Sequence, residues 1–344
     1  MRWFGLQYSE TQSAADSPLQ PTPDYGTLGP GSDSSRAGAR SLARLPARAL
    51  QILAIVLGAG SALVVSSAAG HSILRKVTGG FSSRQNSSVS SDPLSDRELD
   101  LQKPQQQAEI LLERAVSHAG GESDSGSETK ARIDARVESW RGKLKWDSQL
   151  GQLTTVAMNS QDRGVRESAI EVQLAAYGVA KNESSVDALV RQAESSNHAH
   201  KVWALWTLGL MGNRGIETDR VVQVLTARLS VRDGDEDSRR WAVEGLALVG
   251  TTPTIVPLLD AMRNDPSALV RERAACSLAQ SGMLNHQQRM IAVPQLIRYS
   301  NDTALDAQTH AWAFQALTGI TGQRLPNDSA AWRSWYESAV AGER

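Results

Sequence analysis

The stretch Asp265-Pro266-Ser267-Ala268-Leu269-Val270-Arg271-Glu272-Arg273-Ala274-Ala275-Cys276-Ser277-Leu278, closed by Gly282, decides how the chain folds. Its skeleton is a small residue, a leucine four places on, and a glycine four places after that: Ala274, Leu278, Gly282. The same skeleton stands at Ala242, Leu246, Gly250 and at Ala204, Leu208, Gly212. It recurs more loosely at Ile170, Leu174, Gly178 and at Ala313, Leu317, with Gly322 one place late. The leucines at 174, 208, 246, 278 and 317 are 34, 38, 32 and 39 residues apart, the period of a helical-repeat array. Steps of four keep these residues on one helix face, and the closing glycines can take the positive φ that ends a helix.

A second helix follows in each unit. Val186-Leu189-Val190, Val221-Val224-Leu225, Ile255-Leu258-Leu259 and Val293-Leu296-Ile297 share the i, i+3, i+4 spacing that turns one apolar face toward the first helix. Pro257 and Pro294 are expected in the first turns of their helices, where a missing N–H is tolerated.

The Asp-Pro-x-x-x-Val-Arg-x-x-Ala-Ala-x-x-Leu segment resembles the HEAT-repeat family, in particular the short HEAT-like repeats of the phycobilisome-lyase type. The resemblance runs over roughly residues 130 to 338 and is best over 265–300. It implies an all-α, right-handed α-solenoid of about five helix pairs whose second helices line a concave face. The segment from Leu317 to Gln323, followed by Trp332-Arg333-Ser334-Trp335-Tyr336, looks like an end cap of some bacterial HEAT proteins. Trp332, Trp335 and Tyr336 fall on one helix face and can cover the last repeat.

Ahead of the repeats the composition changes. Residues 1–48 are rich in Ser, Pro, Gly and Ala and are expected to be a disordered tail, with Trp3, Phe4 and Tyr8 as an aromatic cluster near its start. Residues 49–74 are 26 positions without Asp, Glu, Lys or Arg, long enough for one transmembrane helix. The long region ahead of this run favours an uncleaved signal anchor over a cleaved signal peptide. Arg36, Arg40, Arg44 and Arg48 precede it and Arg75, Lys76 and Arg84 follow, a bias toward a cytoplasmic N-terminus with the repeats outside the cytoplasm. Gly58 and Ala62 have the small-xxx-small spacing of a span-mediated dimer. Residues 75–128 read as a flexible tether with one helix from about Ser95 to His118, and 129–344 as the repeat domain.

Lys plus Arg is 36 and Asp plus Glu is 37, a balance that argues against a nucleic-acid platform. Cys276 is the single cysteine, so no disulfide and no Cys-x-x-Cys site forms within one chain. On the first helix of the best unit it reads as a small core residue rather than a lyase nucleophile. Deoxyhypusine hydroxylase, a HEAT-fold enzyme, carries His-Glu pairs that bind iron, and here none of His71, His118, His198, His200, His286 and His310 is followed by Glu. His198-x-His200 offers two ligands without a third nearby in sequence. No phosphate loop or nucleophile elbow appears. The expectation is no catalytic site, no metal and no cofactor.

Two rows remain as candidate contacts for another protein. Along the second helices Arg191, Thr226, Asp260 and Arg298 follow the apolar doublets, with Ala188, Gln223, Pro257 and Gln295 just before them. From these, Arg191, Gln223, Asp260, Gln295 and Arg298 are the expected partner-binding residues. The alternative is a ridge of Trp203, Trp241, Arg273 and Trp312, each immediately before a skeleton residue, whose competing role is packing between repeats. The expected function is a membrane-anchored, non-catalytic interaction scaffold. The alternatives are an enzyme-accessory or lyase-type protein that holds a substrate protein, and an assembly factor that acts through its span. Asn86, Asn182, Asn301 and Asn327 lie in glycosylation sequons.

Overall fold

The structure, a computed structural model, describes residues 94–117, 125–229 and 235–342. Among these residues there are fifteen α-helices, one 3-10 turn and no strand. Five helix pairs carry the repeat: α6 (Arg163–Ala176) with α7 (Glu183–Gln192), α8 (His198–Asn213) with α9 (Thr218–Leu229), α10 (Glu236–Val249) with α11 (Ile255–Asn264), α12 (Ala268–Ala279) with α13 (His286–Tyr299), and α14 (Ala307–Thr321) with α15 (Ser329–Gly342). Each skeleton residue pair lies in a first helix and is buried, from Ile170 and Leu174 to Ala313 and Leu317. One apolar core joins these repeats, with Trp332 of α15 fully buried in it and Trp335 and Tyr336 packed on its edge. The terminal aromatic face therefore closes the last repeat.

Every first helix starts on a capping side chain, which satisfies N–H groups that have no partner within the helix. Asp162, Asn197, Asp235, Ser267 and Asp306 accept from the backbone N–H of Gly164, His200, Asp237, Val270 and Thr309 respectively. Four residues after each cap stands a basic or imidazole side chain: Arg166, Lys201, Arg239, Arg271 and His310. Three of these reach the start of the next repeat. Lys201 lies 3.8 Å from Asp235, Arg239 donates to Asp265 at 2.7 Å, and Arg271 donates to Asp306 at 2.7 Å. The Asp265-Pro266 and Val270-Arg271 elements of the motif are thus parts of one ladder that ties the start of one repeat to the next across three of the four seams. Arg239 and Asp265 are both buried.

The first helices approach one another very closely. A Cβ built on Gly209 of α8 would lie 2.6 Å from the carbonyl oxygen of Gly245 in α10, so only glycine allows this crossing. Gly178, Gly250, Gly282 and Gly322 take positive φ after their helices, as the spacing predicts. Gly212 does not: it lies inside α8, where the side chains of Val249 and Val221 leave no room for a Cβ, and the positive φ falls on Gly215. Pro257 sits in the first turn of α11 as expected, but Pro294 lies inside α13. The reason is an earlier start: Asn285 and Gln288 form a capping box that begins the helix at His286. Buried Arg289 of α13 holds the end of α12, donating to the carbonyls of Ser277, Leu278, Ser281 and Leu284. Burial pushes its guanidinium down to about 10, still charged at neutral pH.

The helix expected in the tether is two helices, α1 (Asp96–Asp100) and α2 (Pro104–Ser117), broken ahead of Pro104. Nor is it free-standing. Leu99, Leu111, Leu112 and Ala115 pack with Ile133, Trp140, Leu150 and Val165 from α3 (Ser125–Asp134), α4 (Val137–Trp140), α5 (Ser148–Met158) and α6. Arg132 and Arg136 add ion pairs to Asp96, both at 2.8 Å. These helices cover the exposed side of the first repeat as α15 covers the last. No helix among the described residues is long and apolar enough to cross a membrane. The tail, the span at 49–74, Trp3, Phe4, Tyr8, Gly58, Ala62, His71, Asn86 and His118 lie outside the described residues.

Candidate functional site

Three of the five expected contact residues come together. Asp260 on α11 and Gln295 and Arg298 on α13 line one open groove between these second helices. Val256, Leu259, Arg263, Asn264, Tyr299 and Asp302 complete it. The helical period explains the arrangement: Val256, Asp260 and Arg263 stand at i, i+4, i+7, on the side of α11 that turns away from the buried Ile255, Leu258 and Met262. Ile291, Gln295 and Arg298 repeat that spacing on α13.

The floor is apolar and its rim polar. Val256 is 72% exposed and presents aliphatic surface to the groove. Tyr299 is buried, and its hydroxyl donates to the Leu259 carbonyl at 3.3 Å. Asn264 donates to Asp260 at 2.6 Å, and Gln295 accepts from Arg298 at 3.1 Å. At the far end Arg263 donates twice to Asp302, at 2.9 and 3.1 Å, and that pairing holds the Asp302 carboxyl below the usual carboxylate range. Arg191 on α7 and Gln223 on α9 are exposed on the same helix layer but lie outside the groove.

The tryptophan row packs instead of presenting a ridge. Trp241 and Trp312 are buried, and Trp203 is partly buried against the core. Trp203 stacks edge-on to Tyr177 at 5.9 Å, Trp206 meets Trp241 at 5.9 Å, and Arg271 lies over Trp312 at 5.9 Å. Arg273 pairs with Glu244 of the preceding repeat. These four residues seal seams, because each sits one position before the core-facing skeleton residue and so points at the neighbouring first helix. Cys276 is buried, and burial pushes its thiol pKa up although Arg273 pulls it down. A thiol held protonated and away from solvent is poorly suited to nucleophilic chemistry.

His198 acquires neighbours that its sequence surroundings do not show. Its ring nitrogens lie 3.7 Å from Asp235 and 3.5 Å from Asp237, on the capping turn of the next first helix, while His200 is not part of the group. Lys201 and Arg240 face the same two carboxylates, and the cluster is largely exposed. It is an ion-pair junction of the capping ladder.

No protein-family model matches the chain. No curated protein matches it. Among solved structures, similar chains are a designed armadillo repeat protein in complex with the peptide (KR)4, at 13% identity over 62% of this chain and 99% of that one with a TM-score of 0.30; a second designed armadillo repeat protein, at 15% over 60% and 98% with 0.29; and an engineered protein, at 17% over 62% and 96% with 0.28. The repeat fold rests on the helices themselves.

Proposed function

We propose that the chain is a non-catalytic scaffold of the HEAT-like type that holds a protein partner on its second-helix face, with the α11–α13 groove as the main contact. The observation that carries this reading is the groove: exposed Val256 over a floor of Leu259 and Tyr299, ringed by Asp260, Asn264, Gln295 and Arg298. An apolar centre with a polar rim is the anatomy of a protein contact. Filling the groove tests it. Val256→Glu with Gln295→Glu is expected to abolish capture of the native partner by the full chain. Thermal unfolding should barely move, since surface changes cost less than about 0.5 kcal/mol. Undiminished capture by a folded variant would remove the groove from the account.

The proposal includes the anchor. Residues 49–74 hold the repeats at a membrane, with the basic cluster Arg36, Arg40, Arg44 and Arg48 on the cytoplasmic side. Protease added outside intact cells or spheroplasts is then expected to digest the repeats, and full protection would reverse the orientation. The accessory and assembly-factor readings differ from the scaffold in outcome: a covalently changed partner would favour the first, and loss of capture on replacing the span alone would favour the second.

A further inference from the structure

The second helices share a feature that their apolar doublets hide. The penultimate residue of α7, α9, α11 and α13 is in every case an arginine: Arg191, Arg228, Arg263 and Arg298. They recur at intervals of 37, 35 and 35 residues. A cation near a helix C-terminus is favoured by the helix dipole, which accounts for the residue type. The constant register does more. Second helices of stacked repeats run parallel, so their last turns finish along one edge, and neighbouring packed helices are about 10 Å apart. Four guanidinium groups therefore line that edge, the last two at the mouth of the groove.

This chain already shows what two of them bind. Arg228 holds Glu194 at 3.0 Å, and Arg263 holds Asp302 at 2.9 Å. Arg191 and Arg298 are exposed, and no carboxylate of the described residues lies within ion-pair distance of either. The row thus alternates between its ends and its middle: open cations outside, cations already holding carboxylates inside. A continuous polyphosphate fits this surface poorly, because Asp187, Asp219 and Asp260 stand on the same helices and Val256 and Ile291 present aliphatic surface beside the arginines. Carboxylates spaced along an extended chain fit it. Three residues of extended backbone span about 10 Å, close to the distance between the axes of neighbouring packed helices.

We infer that the arginine row and the adjoining groove take an extended acidic protein segment, with carboxylates meeting Arg191 and Arg298 and an aliphatic side chain seated over Val256, Leu259 and Tyr299. The inference rests on the scaffold reading and names its partner's chemistry. Because Arg228 and Arg263 would exchange one carboxylate for another, the net gain lies at the two open arginines.

A selection of random twelve-residue peptides on the full chain tests this. Enriched peptides should carry Asp or Glu at about three-residue spacing around an aliphatic residue. By fluorescence anisotropy, Arg298→Gln and Arg191→Gln should each weaken a selected peptide at least about fivefold. Arg228→Gln should change affinity less than about twofold, because Glu194 already holds that side chain. Circular dichroism melts of the variants should match the parent, so lost binding cannot be ascribed to lost folding. Neutral or basic selected peptides that still compete at the groove would overturn the acidic partner and leave the scaffold standing. Affinity indifferent to Arg191 and Arg298, or displacement by single-stranded RNA or phosphatidylserine vesicles more readily than by acidic peptides, would overturn it equally. No enriched peptide at all would count against both readings.

Discussion

Gly209→Ala is expected to destabilise the repeats by about 3 kcal/mol or more, although alanine is the better helix former by about 1 kcal/mol. The two effects have opposite signs, so the measurement decides between them. Gly209 lies inside α8, and the new methyl would sit 2.6 Å from the Gly245 carbonyl oxygen and 2.7 Å from its Cα. Those atoms are backbone and cannot swing aside; α8 and α10 would have to part, and theirs is the most extensive helix pairing of the fold. Gly322→Ala is the control. Its φ is 71°, with nothing within 4 Å of a new Cβ, so only the strain of a left-handed residue is added, about 1–2 kcal/mol. Urea unfolding of both variants gives the comparison. A Gly209→Ala protein as stable as the parent would show that the first helices do not cross in backbone contact.

Asp265→Ala is expected to cost about 3–5 kcal/mol, because it leaves the Arg239 guanidinium buried without its carboxylate. It also removes the acceptor for the Ser267 N–H, at 2.8 Å, and so loosens the turn that leads into α12. The cost belongs to the charge left buried more than to the pair. Replacing both partners, Arg239→Met with Asp265→Ala, should therefore destabilise by clearly less than the sum of the single changes, and a double-mutant cycle measures the difference. Strict additivity would mean that the two side chains do not meet across the α10–α12 seam.

Much of the repeat was legible because its signals are local. Leucines 174, 208, 246, 278 and 317 mark five first helices, since a step of four on a helix returns to the same face whatever the rest of the chain does. The glycines after four of them read correctly for the same reason. Gly212 did not, because its role is set by Val249 of the next repeat, 37 residues away. Pro294 lies inside its helix because a capping box starts that helix eight residues upstream, at His286, and the helices at 96–117 depend on apolar partners beyond residue 129 that polar, Ser-rich surroundings do not supply.

The candidate site divides along the same line. Asp260, Gln295 and Arg298 share one groove because an outward position on an amphipathic helix follows from its buried ones. Trp203, Trp241 and Trp312 were placed in the correct register, but whether a tryptophan beside a core position covers a seam or stands in solvent depends on how closely the neighbouring helix comes. The arginine row does not follow from the apolar doublets. Counted from the apolar doublets, Arg191 and Arg298 align and Arg228 and Arg263 do not; counted from the helix ends, all four do. His198 shows the limit of spacing arguments for charged clusters, since its carboxylate neighbours are 37 and 39 residues further on.

A photo-cross-linking map of the full chain in its native setting reads out whether this solenoid holds a protein on its second-helix face. Benzoylphenylalanine at Val256 and at Ile291, both exposed on second helices, should give adducts to the same protein, joined through an acidic segment of it. The same probe at Gln315, exposed on first helix α14, should give none. Adducts from Gln315 and none from Val256 or Ile291 would place the partner on the opposite layer and contradict the account.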